Sequence, residues 1–382
     1  MLKSSNSRNS RAKVQKNYFY EYKIQQKLVP LHRFFDKVIT KMRLIKAKYY
    51  LIPASICLFG ILAAGYYFFL TDFSAQEDVK YVYIDDDDSF DSVCYKLKPI
   101  ASLTGMTGFS VMARHTDYPN HLRTGRYAIE PNMGTFNVLR RLKNGQQEPV
   151  QLVIPESRTM DRLAAQLSRK LMLDSAEIAH ALLDSEYCAH LGYDTATIAC
   201  LFVPNTYEVY WNTTLERLME RMQKEHDKFW DGARTAKATE TGLTENEICT
   251  LASIIDEETA NQQEKPMVAG MYLNRLRQNM PLQADPTIKF AMKRFELKRI
   301  YRGMLDFDSP WNTYRNTGLP PGPIKIASVQ GIDAVLNHVE HDYLYMCANE
   351  DFSGTHRFAV TYKEHQENAA RYAKALNERG IK

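Results

Sequence analysis

The sequence predicts an α+β protein that is attached to a membrane by one helix near its N-terminus. Three observations support this prediction. Residues 49–70 form an uncharged run, residues 76–148 alternate short strand and helix patterns, and residues 149–382 combine further strands with amphipathic helices. A chain of 382 residues has room for two or three domains at roughly 100–200 residues each.

The uncharged run at residues 49–70 is long enough to span a bilayer. A helix of this length reaches roughly 33 Å at about 1.5 Å per residue, and the hydrocarbon layer is about 30 Å thick. A cleaved signal peptide would have a shorter apolar run nearer the N-terminus and a small-x-small cleavage site. We therefore expect a retained transmembrane helix that contacts the lipid bilayer.

The charge that precedes this run sets the expected orientation. Residues 1–48 contain thirteen Lys or Arg and two acidic residues, whereas the whole chain has a net charge of +4. Because positively charged flanks stay in the cytoplasm, we expect residues 1–48 to be a basic cytoplasmic tail and residues from about 72 onward to lie outside the cytoplasm. No nucleic-acid-binding pattern accompanies the basic charge, so no nucleic-acid partner is expected.

Residues 76–148 have the size of a small module. Strands are predicted at residues 80–84 and 121–129, and helices are predicted at residues 89–103 and 136–144. Four consecutive Asp at residues 85–88 lack the alternate acids, the Gly and the Glu of an EF-hand loop. They predict a solvated turn rather than a calcium site.

The larger part of the chain, residues 149–382, begins with a predicted strand at 150–154. Amphipathic helices are predicted at residues 160–171, 175–183 and 215–230, and residues 231–242 read as a polar break. The sequence contains no C-x-x-C pair and no H-E-x-x-H helix, so we expect neither a metal nor a cofactor. A disulfide between Cys188 and Cys200 is a hypothesis that their short separation permits.

An acidic cluster at residues 256–258 follows a predicted helix. Thr244 and Glu247 form a capping box that starts this helix. Its apolar stripe consists of Ile248, Leu251, Ala252, Ile254 and Ile255. Glu258 lies about 20° from Leu251 around the helix axis, whereas Glu257 points to the opposite side and Asp256 lies farther from the stripe. Glu258 is therefore the acid that we expect beside apolar surface, where its pKa rises and it can donate a proton. The alternative is that the cluster is only a solvated helix end.

Four segments resemble successive signatures of the MltG/YceG family of endolytic murein transglycosylases. They are LASIIDEET, NRLRQNMPLQADPTIKFAM, SPWNTYRNTGLPPGPI and GTHRFAVTYKEH. The resemblance covers roughly residues 80–380 and its signatures come in family order. It implies a LysM-like module at 76–148 and a YceG-like α+β catalytic domain at 149–382. It also implies an enzyme anchored in the bacterial inner membrane, with its catalytic domain in the periplasm, that cuts nascent peptidoglycan strands internally.

The resemblance also implies site residues. The family acid is the second Glu of a V-E-K-E-T motif, and this residue aligns with Glu258, although Asp256 and Glu257 replace the usual Glu-Lys. The implied reaction is protonation of the bond between N-acetylmuramic acid and N-acetylglucosamine, followed by closure of a 1,6-anhydro ring. The residues expected to bind the glycan are Gln283, Asp285, Asn312, Tyr314 and His356. Structural roles are expected for Asn274 and Arg275, with Arg275 in an ion pair, and residues 318–323 are expected to form a stiff loop at the cleft.

Two other functions remain open from the sequence. One is a catalytically silent protein that binds the wall and scaffolds the synthesis machinery. The other is a murein hydrolase in which Asp285 is a second catalytic carboxylate, as in two-carboxylate glycosidases. Membrane-bound wall synthases are expected partners on the family resemblance and the shared membrane alone.

Overall fold

The computed structural model of the protein describes residues 7–74, 76–297 and 299–380, with side chains from residue 32 onward. The elements in chain order are α1 (Ser7–Phe69), β1 (Lys80–Ile84), α2 (Phe90–Leu97), α3 (Leu103–His115), β2 (Gly125–Ile129), α4 (Thr135–Asn144), β3 (Val150–Val153), α5 (Met160–Ser168), α6 (Ser175–Leu183), α7 (Ser185–His190), β4 (Thr206–Val209), α8 (Leu215–Phe229), α9 (Gly232–Thr241), α10 (Glu245–Glu258), α11 (Lys265–Arg277), α12 (Asp285–Ala291), α13 (Val329–Leu336), β5 (Tyr345–Ala348), β6 (His356–Ala359) and α14 (Tyr362–Glu378). Short 3₁₀ helices lie at Tyr118–Asn120, Ile198–Leu201 and Arg302–Met304. The fold is thus mixed α+β, as predicted.

Helix α1 contains the predicted membrane helix. Its segment His32–Phe69 is long and apolar enough to cross a membrane, with a mean hydropathy of 1.8 in its most apolar stretch and none of that stretch buried. An exposed apolar helix of this length fits a single-pass membrane anchor.

The described residues form two compact units. The first comprises the described chain up to Lys80 together with Cys94–His121 and Ile129–Arg140. In this unit Phe73 is fully buried and its ring packs edge-on against Phe109 of α3, with ring centroids 6.0 Å apart. A Cβ on Gly108 would lie 1.9 Å from the carbonyl oxygen of Phe68. Only glycine therefore lets α3 approach the end of α1 this closely.

The second unit comprises Tyr81–Val93, Leu122–Ala128 and the chain from Arg141 onward. One of its cores lies under an antiparallel pair in which Val150 of β3 stands opposite Val209 of β4. The buried side chains of this core come mainly from α5, α6 and α8, for example Leu163, Ile178 and Met219. The N-caps of these three helices are Thr159, Asp174 and Thr214. The side chain of each N-cap accepts a hydrogen bond from a backbone N–H in the first turn of its helix.

A second core in the same unit supports the acidic cluster. It is formed by α10, α11 and α13, with Ile255, Val268 and Val335 fully buried at its centre. The capping box of Thr244 and Glu247 starts α10 as predicted. The antiparallel pair β5–β6 and α14 complete the C-terminal end.

Several local predictions differ from the structure. Residues 231–242 contain helix α9, which the sequence did not reveal because only Ala238 of this polar helix is buried. Helix α3 was also not predicted. Cys188 and Cys200 are free thiols that contact different carbonyl groups, those of Leu182 and Asn246, so the structure does not contain the hypothesised disulfide.

Candidate active site

Glu258 is the last residue of α10 and is half-buried at the edge of the second core. The hydroxyl of Tyr272, on α11, donates a hydrogen bond to its Oε1 atom at 2.9 Å. Tyr272 is 1% exposed, so this bond lies away from bulk water. Burial, followed by the neighbouring Glu258 charge, holds the pKa of the Tyr272 phenol well above its ordinary value, so the phenol remains a donor.

The surroundings of Glu258 raise the pKa of its carboxyl group. Burial raises its pKa from the ordinary 4.5 to about 7. The negative charge of Asp285 also raises the pKa of Glu258. The hydrogen bond from Tyr272 lowers this pKa, and positive charge on His356 and Lys289 lowers it as well. A carboxyl group with a pKa near the working pH can both donate and accept a proton.

Asp285 and Tyr314 form a hydrogen-bonded pair at the start of α12. The hydroxyl of Tyr314 donates to Asp285 Oδ1 at 2.6 Å. Burial, followed by the Asp285 hydrogen bond, raises the pKa of Tyr314 above its ordinary value. Asp285 is solvent-exposed and Tyr314 half-buried, so this pair is accessible from solvent.

The turn that carries Gln283 and Asp285 is fixed by one buried threonine. Thr313 is 1% exposed, its carbonyl accepts from Gln283 N, and its hydroxyl accepts from Ala284 N, both at 3.0 Å. Gln283 has a positive φ of 53°, which an ordinary residue rarely adopts. The turn therefore projects the exposed Gln283 side chain from a well-defined backbone.

Asn312 differs from its expected role in glycan contact. It is fully buried, and its amide donates to the carbonyls of Leu305 and Phe307 at 2.8 and 2.7 Å. Its Oδ1 accepts from the backbone N–H of Tyr314 at 2.9 Å. The amide therefore holds the loop that presents Tyr314, and it is not exposed to a sugar.

His356 is tied to a carboxylate that the sequence did not single out. Both its backbone N–H and its Nδ1 atom lie within hydrogen-bond distance of Glu264, at 2.6 and 2.9 Å. Thr259, which ends α10, donates to the same carboxylate at 2.9 Å. No sequence signal indicates Glu264, because it precedes α11 in a polar stretch and its partner is 92 residues away.

Asp256 is more deeply buried than its position on α10 predicted. Its side chain is 1% exposed and forms an ion pair with Lys265. The backbone N–H and the hydroxyl of Ser328, the N-cap of α13, both donate to it at 2.7 Å. A Cβ on Gly331 would lie 2.5 Å from this carboxylate, so a glycine is required where α13 approaches it.

Glu257 stands where the family pattern has Lys, and cations surround it. Arg158 binds both of its carboxylate oxygens, at 2.6 and 3.2 Å. Lys325 lies 3.6 Å from Glu257 and 2.7 Å from Glu156. The extra negative charge beside Glu258 is thereby neutralised within the protein.

Asn274 and Arg275 both have structural roles, but among the described residues Arg275 binds carbonyl groups and not the carboxylate of the expected ion pair. Asn274 donates to the carbonyls of His341 and Tyr343. Arg275 is 7% exposed and binds carbonyls, including that of Leu344 at 2.6 Å, rather than a carboxylate.

The 318–323 loop is fixed against its neighbours. Gly318 has a φ of 83°, and the carbonyl of Gly322 accepts from Trp311 Nε1 at 3.1 Å. A Cβ on Gly322 would lie 2.1 Å from the carbonyl oxygen of Ala196.

In the part of the chain that the structure describes, no group of three or more His, Cys, Asp or Glu is arranged to hold a metal ion.

Three comparisons relate the chain to known proteins. Residues 82–371 match the family model described as the YceG-like family. The endolytic murein transglycosylase of Streptococcus pneumoniae serotype 2 is 30% identical over 295 residues, which cover 69% of this chain and 53% of that protein. That of Bacillus subtilis is 27% identical over 273 residues, covering 67% of this chain and 75% of that protein.

The chain thus spans about half the length of the pneumococcal relative that it matches. A crystal structure of a YceG-like protein from Listeria monocytogenes superimposes with a TM-score of 0.50 at 26% identity, covering 76% of this chain and 99% of that chain. Because the family match extends over well more than half of the sequence, the chain belongs to the YceG-like family.

Proposed function

We propose that the chain is a membrane-anchored endolytic lytic transglycosylase. It cleaves the bond between N-acetylmuramic acid and N-acetylglucosamine in nascent peptidoglycan and leaves 1,6-anhydro ends, which limits glycan strand length. The observation that carries the proposal is Glu258, a half-buried carboxyl whose pKa is raised by burial to about 7. The name of the pneumococcal and Bacillus relatives, endolytic murein transglycosylase, supports the same activity.

Glu258 performs both proton transfers in this mechanism. In its protonated form it donates to the glycosidic oxygen as the bond to C1 breaks. The resulting carboxylate accepts the proton of the muramyl 6-hydroxyl as that oxygen bonds to C1 and closes the anhydro ring, which restores the protonated acid. Because the sugar supplies its own nucleophile, the reaction requires no second carboxylate and consumes no water.

The other site residues bind and orient the glycan. The exposed Gln283 and Asp285 and the half-buried Tyr314 offer amide, carboxylate and phenol groups to sugar hydroxyls near Glu258. His356 contributes from β6, and Asn312 acts indirectly by holding the loop of Tyr314.

The domain organisation belongs to the same proposal. Residues 1–48 are a cytoplasmic tail and 49–70 the membrane helix, which places the LysM-like module at 76–148 and the catalytic domain at 149–382 in the periplasm. The basic charge of the tail supports this orientation. Membrane-bound wall synthases are proposed partners because they act on the same strands at the same membrane.

A product-mass experiment tests the activity. The full-length protein in detergent is incubated with uncrosslinked glycan strands, and the products are measured by mass spectrometry. Anhydro products without added water support the proposal, whereas products heavier by one water identify a hydrolase, the alternative in which Asp285 is the candidate second carboxylate.

Two variants separate catalysis from binding. Glu258→Gln is expected to lower turnover about 100-fold or more while glycan binding persists. Glu220→Gln, at an exposed position on α8, is the matched control and is expected to retain turnover. A wild-type protein that binds strands without cutting them would establish the scaffold alternative instead.

A further inference from the structure

Three hydrogen bonds converge on the carboxylate of Glu264, which is 8% exposed. The His356 backbone N–H lies 2.6 Å from Oε1, and Thr259 Oγ1 and His356 Nδ1 both lie 2.9 Å from Oε2. A backbone N–H and a hydroxyl already donate to this carboxylate, so it acts as an acceptor, and Nδ1 of His356 as a third donor carries a proton. In the neutral imidazole the other ring nitrogen, Nε2, then has a free lone pair.

The position of His356 makes this lone pair available to the site. Its side chain is 17% exposed, and within the described residues the structure gives Nε2 no hydrogen-bond partner. Thr259 directly follows Glu258, so Glu264 joins the end of α10 to the start of β6. The hydroxyl of Thr259 and Nδ1 of His356 thus share one oxygen of Glu264, next to the end of the helix that carries Glu258.

We infer that Glu264 is a positioning residue that holds His356 in the Nδ1–H tautomer, so that Nε2 accepts a hydrogen bond from a glycan hydroxyl beside Glu258. The inference rests on the proposed function for its ligand. Glycan strands carry hydroxyl donors throughout, which matches an acceptor. Free histidine in water prefers the opposite tautomer, with the proton on Nε2, so the geometry requires a fixed partner on Nδ1.

A spectroscopic test determines the tautomer of His356 without requiring enzymatic activity. Long-range ¹H–¹⁵N spectra of the histidine-labelled full-length protein in detergent distinguish the two ring nitrogens, and the His356 signals are identified by their loss in a His356→Asn variant. We expect Nε2 to be unprotonated in the wild type. In Glu264→Gln, whose amide can donate to Nδ1, we expect the proton to move to Nε2.

Thr259→Val is the matched control for the spectrum. It removes another hydrogen bond to the same carboxylate and is expected to leave the tautomer of His356 unchanged. A wild-type spectrum with the proton on Nε2, or a tautomer that Glu264→Gln does not change, would overturn the inference.

Kinetics then test the acceptor. Asparagine at position 356 can donate its amide N–H to Glu264 in place of Nδ1 but has no atom at the place of Nε2. His356→Asn is therefore expected to keep the thermal midpoint of the wild type and to lose about tenfold in kcat/KM on glycan strands. Glu264→Gln is expected to lose a similar factor, and the double variant no more than either alone.

Full activity of a folded His356→Asn variant would show that Nε2 is not used, whatever the tautomer. If the wild type cuts no glycan at any pH, the proposed function is wrong. The acceptor is then tested by the affinity of the same variants for intact strands, where an unchanged affinity of His356→Asn contradicts the inference.

Discussion

The hydroxyl of Tyr272 donates a 2.9 Å hydrogen bond to Oε1 of Glu258. This bond stabilises the ionised carboxylate and therefore opposes the effect of burial, which is larger and raises the pKa of Glu258 to about 7. The balance between burial and this one donor sets the pH at which the proposed acid loses its proton.

Tyr272→Phe is expected to move the alkaline limb of the pH–rate profile upward. Without the hydrogen bond, the carboxylate is less stable and the pKa of Glu258 rises further. The fall in kcat/KM that we expect near pH 7 in the wild type should then occur about one pH unit higher. A profile of kcat/KM against pH on glycan strands measures this shift, and a limb that stays in place or moves to lower pH would contradict the interpretation.

Asp285→Asn is expected to move the same limb in the opposite direction. The negative charge of Asp285 raises the pKa of Glu258, so its removal lowers that pKa. Asn retains an oxygen that can accept from Tyr314, which preserves the pair at the start of α12. Loss of kcat at every pH with an unchanged KM would instead indicate that Asp285 is itself a reacting group.

Glu258→Gln should remove a pH dependence of folding stability. The pKa of Glu258 is 4.5 in the unfolded reference and about 7 in the folded protein. The contribution of Glu258 to stability is therefore fully present below pH 4.5 and is lost as the pH rises through 7, because ionisation is easier in the unfolded chain. The loss is up to about 3 kcal/mol.

The measurement compares the thermal midpoints of wild type and Glu258→Gln at several pH values. The two midpoints should be similar near pH 4.5, and the variant should be the more stable protein at pH 8. A gap that does not change with pH would show that the carboxyl is well hydrated in the folded state.

Lys265→Met is expected to destabilise the fold by about 3–5 kcal/mol, because it leaves the charge of Asp256 buried without its cation. Lys265 is 7% exposed, and the Asp256 side chain is 1% exposed. The control is Lys374→Met, whose partner Glu378 is 3.9 Å away with both side chains mostly in solvent. That exposed pair should contribute less than about 0.5 kcal/mol. Equal effects of the two variants on thermal unfolding would mean that the buried pair is not a structural ion pair.

Much of the site could be predicted from local spacing in the sequence. The capping box, the apolar stripe and the place of Glu258 at the end of α10 all depend on residues within one helix, where 3.6 residues per turn relate position to direction. The membrane helix could also be predicted from a local feature, the uncharged composition of residues 49–70. By contrast, α9 buries a single residue and so gave no periodic signal.

Only the tertiary structure decided which groups surround that helix. Helical geometry placed Asp256 away from the apolar stripe, yet α13 and Lys265 cover it completely. Tyr272 and Glu264 reach the site from beyond α10, and the partner of Glu264 lies on β6. A pKa and a tautomer depend on contacts across several elements, and the period of a single helix contains no information about them.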